Sequence, residues 1–198
     1  PANVMCLLEI VRGAKMSDDS LATALDAARR IRKVPVVSGV CHGFIGNRML
    51  KGYGREAGLC MMEGAAPQDV DKALYDFGMP MGPLAMADLA GLDIGYDNRR
   101  SMVAGEDYEP LASVLQDRLV EMGRKGQKTG AGIYGYVEGN RQPQPDPAVE
   151  ALIEDLAREH GIERRTVPAE EIVERCMLAL VNEGALILAA GIAQRSSD

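Results

Sequence analysis

The sequence contains few of the residues that build metal sites, and its cysteines are not arranged in pairs. Its 198 residues include two histidines and four cysteines, and no two cysteines are spaced as C-x-x-C. These counts argue against a histidine-based metal site and against zinc, so we predict no metal. The cysteines lie mostly among apolar residues, which is typical of small buried thiols in a reducing compartment. We therefore expect a cytoplasmic protein.

Positive charge and long apolar runs are also scarce. Acidic residues number 29 against 22 basic ones, for a net charge of −7. This balance argues against general affinity for nucleic acid or for anionic membranes. No apolar run approaches the roughly 20 residues that a transmembrane helix needs, so we predict no membrane insertion. The hydrophobic fraction of 46% is nevertheless sufficient for one or two domains with a buried core.

The first forty residues follow a strand–helix–strand pattern. Apolar residues dominate 4–11, the stretch 16–33 repeats them at the spacing of an amphipathic helix, and 34–40 is a short β-branched run. Three such elements in succession predict a βαβ unit, the building block of a parallel sheet. One βαβ unit does not make a stable sheet alone, so other parts of the protein must cover it.

The rest of the chain is predicted to be mainly helical. A glycine-rich loop with a short extended segment interrupts the helices at 123–140, and a segment of linker composition follows at 141–147. The apolar spacing and the capping residues predict helices over 44–62, 67–77, 83–91, about 111–122, 147–159 and 168–190.

The C-terminal helix repeats part of an earlier one. Residues 47–71 and 174–198 share six identities at a single offset, among them Arg48/Arg175 and Glu56/Glu183. The pattern indicates an internal repeat, although two amphipathic helices can also resemble each other by chance. If the repeat is real, its second copy is incomplete. We therefore expect the chain to be a piece of a longer protein, truncated at both ends.

One glycine-rich motif has the letters of a nucleotide-binding site but not its context. The stretch GAGIYG (130–135) fits G-x-G-x-x-G, but the dinucleotide fingerprint needs a strand before it and a helix after it. Here a basic loop precedes the motif and the strand-like YGYV follows, so we reject that interpretation. The basic residues of the loop, Arg124, Lys125 and Lys128, either hold an anion or form a solvated turn.

A few polar residues stand where the pattern does not require them. Glu9 lies inside the apolar run VMCLLEIV, and an unpaired buried carboxylate costs several kcal/mol, so we expect it to have a partner. Asn47 begins a long helix, where it is either a cap or an amide that orients a substrate. His42 is interpreted as exposed or structural. Asp88 and Asp93 are either functional or hydrogen-bonded at helix ends, and we favour the helix-end hydrogen bonds.

Four of these stretches, in this order and spacing, resemble the NAD-dependent 3-hydroxyacyl-CoA dehydrogenases. They are PANVMCLLEIVRG, VPVVSGVCHGFIGNRML, DFGMPMGPLAMADLAGLD and GQKTGAGIYGY. The tail after residue 147 resembles the longer members of the family, the multifunctional enzymes of fatty-acid β-oxidation. The resemblance implies a parent enzyme that oxidises an (S)-3-hydroxyacyl-CoA to the 3-ketoacyl-CoA with NAD.

The resemblance also implies a role for three residues of this chain. In the family a histidine takes the hydroxyl proton, and a glutamate on the same strand region pairs with that histidine. Glu9 matches the glutamate, Asn47 matches the asparagine that holds the substrate oxygen, and Lys128 matches a lysine that contacts the cofactor. Pro1 matches the proline between histidine and glutamate, so we expect the histidine before Pro1. The chain alone is therefore predicted to be inactive and to bind no NAD tightly.

The implied architecture is mainly α and has four parts. Residues 1–41 are the last β-α-β of a Rossmann domain. Residues 42–140 are a helical domain of the type found in 3-hydroxyacyl-CoA and 6-phosphogluconate dehydrogenases. Residues 141–169 are a linker and a helix, and 170–198 begin a second, truncated helical repeat.

The implied partners are an acyl-CoA substrate, a second copy of the chain bound through the helical domain, and a thiolase subunit. Two other functions stay open on the sequence. One is a non-catalytic helical module for dimerisation, and the other is a related hydroxyacid-type dehydrogenase whose substrate is not an acyl-CoA.

Overall fold

The computed structural model describes residues 3–101 and 110–198, so Pro1 lies outside the described residues. The described chain is mostly helical, with a small parallel sheet at its start, and this confirms the predicted fold class. The elements are β1 (Leu7–Val11), α1 (Asp18–Arg30), β2 (Val34–Ser38), α2 (Gly46–Glu63), α3 (Pro67–Phe77), α4 (Pro83–Ala90), α5 (Leu92–Ser101), α6 (Pro110–Glu121), a 3₁₀ turn (Gln127–Thr129), α7 (Pro147–Glu159) and α8 (Ala169–Ala189).

The predicted βαβ unit is confirmed. Strands β1 and β2 pair in parallel, and Glu9 lies opposite Val36 in the register. Helix α1 connects them and begins at the N-cap Ser17, whose side chain accepts a hydrogen bond from the Ser20 amide. A hydroxyl cap of this kind satisfies one of the amides that a helix leaves unpaired at its start.

The chain separates into two compact units. The first comprises Pro1–Gly52 together with Leu178–Asp198, and the second comprises Tyr53–Met177. Helices α2 and α8 each contribute residues to both units. The four-part division drawn from the sequence stays a prediction.

The first unit has a small apolar core beside the sheet. Its buried residues are Val36, Ile45, Ile187 and Ala193. The turn after α8 closes this core, since the Gly39 amide donates to the Ile192 carbonyl at 2.7 Å. The core therefore fixes the chain that enters α2 against the end of β2.

The predicted internal repeat coincides with a reciprocal pair of ion pairs. In the first unit, Arg48 Nε lies 2.5 Å from Glu183 Oε1. In the second unit, Arg175 Nε lies 3.1 Å from Glu56 Oε2. Each arginine of one copy thus contacts the glutamate of the other copy. The exchange agrees with the predicted internal repeat, which stays a prediction.

The second unit consists of packed helices with one close helix–helix approach. A Cβ placed on Gly58 of α2 would lie 2.1 Å from the Ala112 carbonyl oxygen of α6. Only glycine allows the two backbones to come so near. The fully buried side chains of this unit include Tyr53, Met61, Met62, Val70, Leu74, Leu84, Leu119, Ile133, Ile153, Leu156 and Ile172.

Two local predictions differ from the structure. Helix α5 was not predicted, because its sequence LDIGYDNRRS contains a glycine and places only Leu92 in the core. The extended segment predicted in the glycine-rich loop is present only as isolated bridges, one of which pairs Gly135 with Gln144. This loop is held by a buried side chain rather than by a strand partner, as described below.

The cysteines divide between the core and the surface. All four are free thiols; Cys60 and Cys176 are buried, whereas Cys6 is exposed. Burial raises the pKa of Cys60 to about 11 and that of Cys176 to about 12. Because the thiolate is the reactive form, these two thiols are inert at neutral pH.

Candidate active-site residues

The partner that Glu9 requires is the start of helix α2. Glu9 Oε1 accepts hydrogen bonds from the backbone amides of Ile45, at 2.8 Å, and Gly46, at 3.2 Å. Helix α2 has no acidic residue in its own first turn, so a carboxylate from β1 takes the place of a local cap. Such a contact adds a favourable interaction with the helix dipole to the hydrogen bonds. Its loss would cost about 0.5–2 kcal/mol, as for other N-terminal caps.

The turn that presents these amides is locally strained. Gly43 has a φ of 76° and Phe44 a φ of 50°, which is unusual for a residue with a bulky side chain. The Cys41 thiol donates to the Phe44 carbonyl at 3.3 Å. Strained backbone of this kind persists only where surrounding contacts hold it, and the Glu9 carboxylate is one of those contacts.

Asn47 and His42 lie at the two ends of the same turn. Asn47 is the second residue of α2 and is exposed, and His42 is also exposed. The amide of Gly46, bound by Glu9, immediately precedes Asn47. The structure therefore brings Glu9 and the start of the Asn47 helix together, although 37 residues separate Glu9 from Gly46.

In the second unit, a buried carboxylate organises the glycine-rich loop. Asp88 is 0% exposed, and it accepts hydrogen bonds from the amides of Ile133 and Tyr134, both at 2.9 Å, and from the Tyr136 hydroxyl at 3.0 Å. A Cβ on Gly132 would lie 2.1 Å from Asp88 Oδ1. Burial raises the pKa of Asp88, and these three donors oppose that shift. The predicted helix-end hydrogen bond is therefore wrong, because the partners of Asp88 are in the loop.

A second carboxylate holds the other side of Tyr134. Asp71 accepts from the amides of Leu84 and Ala85, at 2.8 and 2.9 Å, and so caps α4 from α3. The Tyr134 hydroxyl donates to Asp71 Oδ2 at 2.9 Å. Burial raises the pKa of Asp71. Sequence reasoning missed Asp71, since no local pattern relates it to a helix that begins twelve residues later.

The basic residues of the loop have separate roles. Arg124 donates to the Gly132 carbonyl and, at 2.6 Å, to Asp146 Oδ2, so it stabilises the loop. Lys128 lies in the 3₁₀ turn, and its Nζ is 2.5 and 2.7 Å from the two carboxylate oxygens of Asp93. Hydrogen bonding from Lys128 holds the pKa of Asp93 below its usual value. Asp93 therefore forms an ion pair with the loop in addition to a backbone hydrogen bond at the start of α5.

The loop fits a dinucleotide only as an exposed contact. The Lys128 side chain is 47% exposed, so its ammonium can reach an anionic or carbonyl oxygen. GAGIYG is flanked by the 3₁₀ turn and by isolated bridges, and the described residues place no helix N-terminus directly after it. Among residues 3–101 and 110–198 no group of three acidic, histidine or cysteine side chains is placed to hold a metal ion.

The chain consists of a parallel βαβ unit followed by helices, and comparison with known proteins identifies the family. Residues 1–41 match the family model described as 3-hydroxyacyl-CoA dehydrogenase, NAD binding domain. Residues 43–136 match the model described as 3-hydroxyacyl-CoA dehydrogenase, C-terminal domain. The chain belongs to the 3-hydroxyacyl-CoA dehydrogenase family, which confirms the resemblance drawn from its motifs.

The chain is similar to parts of longer curated proteins. The peroxisomal bifunctional enzyme of Danio rerio is 43% identical over 210 residues, which cover 100% of this chain and 29% of the relative. The glyoxysomal fatty acid beta-oxidation multifunctional protein MFP-a of Cucumis sativus is 34% identical over 202 residues, which cover 100% of this chain and 28% of the relative. The chain thus spans less than a third of the length of these curated relatives.

A solved structure has the same fold. The dehydrogenase part of multifunctional enzyme 1 from C. elegans is 29% identical and superposes with a TM-score of 0.75, covering 100% of this chain and 44% of that one. None of the helices in the described part of the chain is both long enough and apolar enough to span a membrane.

Proposed function

We propose that this chain is the dehydrogenase part of a multifunctional β-oxidation enzyme that oxidises an (S)-3-hydroxyacyl-CoA to the 3-ketoacyl-CoA with NAD. The observation that carries the proposal is the contact between Glu9 and the start of α2. It brings a carboxylate of the segment matched to the NAD-binding domain to the helix that begins the C-terminal domain match. Names of the relatives, which include fatty acid beta-oxidation proteins, support the pathway.

Each of the three residues has a defined task in this reaction. Glu9 orients a histidine of the longer protein and stabilises its protonated form after the histidine takes the hydroxyl proton. Asn47 donates its side-chain amide to the substrate oxygen and holds the reacting carbon in place. Lys128 contacts the cofactor from the helical domain. Bound NAD would supply the hydride acceptor for this oxidation.

A comparison of two proteins tests this function. The full-length protein should form NADH from NAD and (S)-3-hydroxybutyryl-CoA, whereas the 198-residue chain alone should form none and should bind NAD weakly at most. NADH formation with 3-hydroxybutyrate but not with the CoA ester would favour the hydroxyacid-type alternative. Robust turnover by the isolated chain would contradict the assignment of the catalytic histidine to another segment.

One observation favours the dimerisation role that the sequence left open. Helix α8 carries exposed apolar side chains, among them Leu178 at 57%, Val181 at 64% and Leu186 at 49%. Exposed apolar surface of this kind favours association. We therefore propose that the chain forms a homodimer through its helices, and light scattering tests this. A thiolase partner rests on the resemblance alone.

The compartment is also a proposal. Four free thiols agree with a reducing environment, which is the basis of the cytoplasmic prediction. Relatives named peroxisomal and glyoxysomal favour a location in such an organelle for a eukaryotic source. Fluorescence microscopy of the tagged full-length protein distinguishes the two.

A further inference from the structure

The carboxylate of Glu9 uses only one of its oxygens in the contact with α2. Oε1 accepts both hydrogen bonds, from Ile45 and Gly46. Oε2 lies beside Gly46, where a Cβ would be 3.5 Å away, and no donor from residues 3–101 or 110–198 is bonded to it. One oxygen of Glu9 is therefore committed to the helix, and the other is left to accept a hydrogen bond from a further group.

The strand that carries Glu9 and the turn that it contacts are fixed to each other in two ways. Glu9 is held opposite Val36 by the parallel register. Val36 and Ile45 are buried in the same apolar core. The Ile45 amide is thus bound by Glu9 while its side chain is held by the core. The start of α2 is therefore positioned relative to β1 by two contacts of Ile45, one through its backbone amide and one through its side chain.

The exact start of α2 determines where Asn47 lies. Asn47 follows Gly46 directly, and the turn before it contains two residues with positive φ, Gly43 and Phe44. Gly43 adopts a positive φ without penalty, but Phe44 does not, so the turn depends on outside contacts at Phe44. If the Glu9 contact is lost, the first turn of α2 can fray and the Asn47 amide moves with it.

We propose that Glu9 is a positioning residue for Asn47 as well as the partner of the catalytic histidine, so that one carboxylate couples the two functional side chains. This inference rests on the proposed function, because it concerns the substrate contact that Asn47 makes there. It assigns a separate task to each oxygen: Oε1 sets the start of α2, and Oε2 accepts from the imidazole.

A double-mutant cycle on the full-length protein tests the coupling. Glu9→Leu removes both acceptors, whereas Glu9→Gln keeps one acceptor oxygen for the two amides and loses the charge and the second acceptor oxygen. Each is combined with Asn47→Ala, and kcat is measured with (S)-3-hydroxybutyryl-CoA and NAD. We expect the Glu9→Leu/Asn47→Ala double variant to keep a kcat about tenfold higher than the product of the two single effects predicts. The Glu9→Gln/Asn47→Ala double variant should match the product of its single effects within about twofold.

The inference is overturned if the kcat losses of Glu9→Leu and Asn47→Ala multiply in the double variant to the same extent as those of Glu9→Gln and Asn47→Ala. Glu9→Asp, which retracts the oxygens by one methylene and keeps the charge, replaces Glu9→Leu if that variant does not fold. The kcat losses of Glu9→Asp and Asn47→Ala should also be less than multiplicative, because Glu9→Asp shortens the side chain but keeps its charge.

A measurement on the 198-residue chain separates this inference from the proposed function. In its ¹H–¹⁵N spectrum, Glu9→Leu should shift the side-chain amide of Asn47 and accelerate hydrogen exchange at Ile45 and Gly46, while Glu9→Gln should change the Asn47 signals little. These shifts support the positioning role even if the full-length protein has no dehydrogenase activity. If the Asn47 signals do not shift in Glu9→Leu, the positioning role is overturned even in an active enzyme. If the leucine variant does not fold, the Asn47 signals of Glu9→Asp decide in the same way.

Discussion

Lys128 and Asp93 form a two-point ion pair at the edge of the glycine-rich loop, with Nζ 2.5 and 2.7 Å from the carboxylate oxygens. Both side chains of the pair are partly exposed to solvent, Lys128 to 47% and Asp93 to 26%. An ion pair at the surface contributes little to stability. The pair therefore orients the ammonium of Lys128 and contributes little to the stability of the fold.

The cofactor role proposed for Lys128 predicts a change in binding without a change in stability. In the full-length protein, Lys128→Met should raise the KM for NAD by about tenfold, the effect of one charge-assisted hydrogen bond, with a smaller effect on kcat. The thermal midpoint should stay unchanged. Lys125→Met, in the same loop, is the matched control and should leave the KM for NAD near the wild-type value. Equal effects of the two variants would show that Lys128 acts only through the charge of the loop.

Gly132 is one of the glycines of the loop that leave no room for a side chain. A Cβ on Gly132 would lie 2.1 Å from Asp88 Oδ1, whereas at Gly135 the nearest atom would be the Gln144 oxygen at 3.9 Å. Gly132→Ala should therefore lower the free energy of unfolding by about 2–3 kcal/mol, and Gly135→Ala should be nearly neutral. Urea denaturation of the two variants measures the difference. A neutral Gly132→Ala would show that Asp88 does not hold the loop.

Helix α2 offers a similar comparison between two glycines. At Gly58 a Cβ would lie 2.1 Å from the Ala112 carbonyl oxygen, and at Gly54 it would meet nothing within 4 Å. We expect Gly58→Ala to destabilise the chain by about 2 kcal/mol. Gly54→Ala should stabilise it by about 0.5–1 kcal/mol, because alanine is the better helix former. Thermal unfolding followed by circular dichroism checks both signs, and a stabilising Gly58→Ala would contradict the close approach of α2 and α6.

The arginine–glutamate cluster of the second unit predicts how stability depends on pH. Arg175 lies 2.9 Å from Glu63, and the hydrogen bond from Arg175 holds the pKa of Glu63 below its ordinary value of 4.5. A carboxylate with a lowered folded-state pKa stabilises the fold above its unfolded pKa, and that stability is lost as the pH falls through the folded-state pKa. Asp71 and Asp88 act in the opposite direction, because burial raises the pKa of each.

Glu63→Gln isolates the contribution of the cluster. The variant should be less stable than wild type at pH 7, and the difference between them should shrink as the pH is lowered below about 4.5. Glu138→Gln, on an exposed loop residue, is the control and should show no such convergence. Urea titrations at several pH values provide the data. A difference that stays constant from neutral to acidic pH would contradict the ion-pair origin of the effect.

Regular elements with a strong apolar period were predictable from the sequence. The predicted helix 147–159 matches α7, and the predicted helix 168–190 differs from α8 by one residue at each end. Aspartate–proline and proline signals marked both starts. Helix α5 escaped prediction because it packs through Leu92 and ion pairs, such as that of Arg99 with Asp117, and not through an apolar stripe.

The contacts that build the candidate site could not be predicted in the same way. The apolar run around Glu9 indicated that its carboxylate needs a partner, but the amides of Ile45 and Gly46 are brought to it only by the packing of α2 on the sheet. Asp88 reaches amides 45 and 46 residues away in the chain. Such contacts depend on tertiary structure, and a local pattern contains no information about them.

The most direct test of this account is the pH dependence of kcat/KM in the full-length protein, wild type against Glu9→Gln. A carboxylate beside an imidazole raises the imidazole pKa and orients its ring. Loss of the charge should lower kcat/KM by about 100-fold and should move the acid limb of the profile to lower pH. A Glu9→Gln enzyme with wild-type kcat/KM and an unmoved acid limb would contradict the assignment of Glu9 to the catalytic pair.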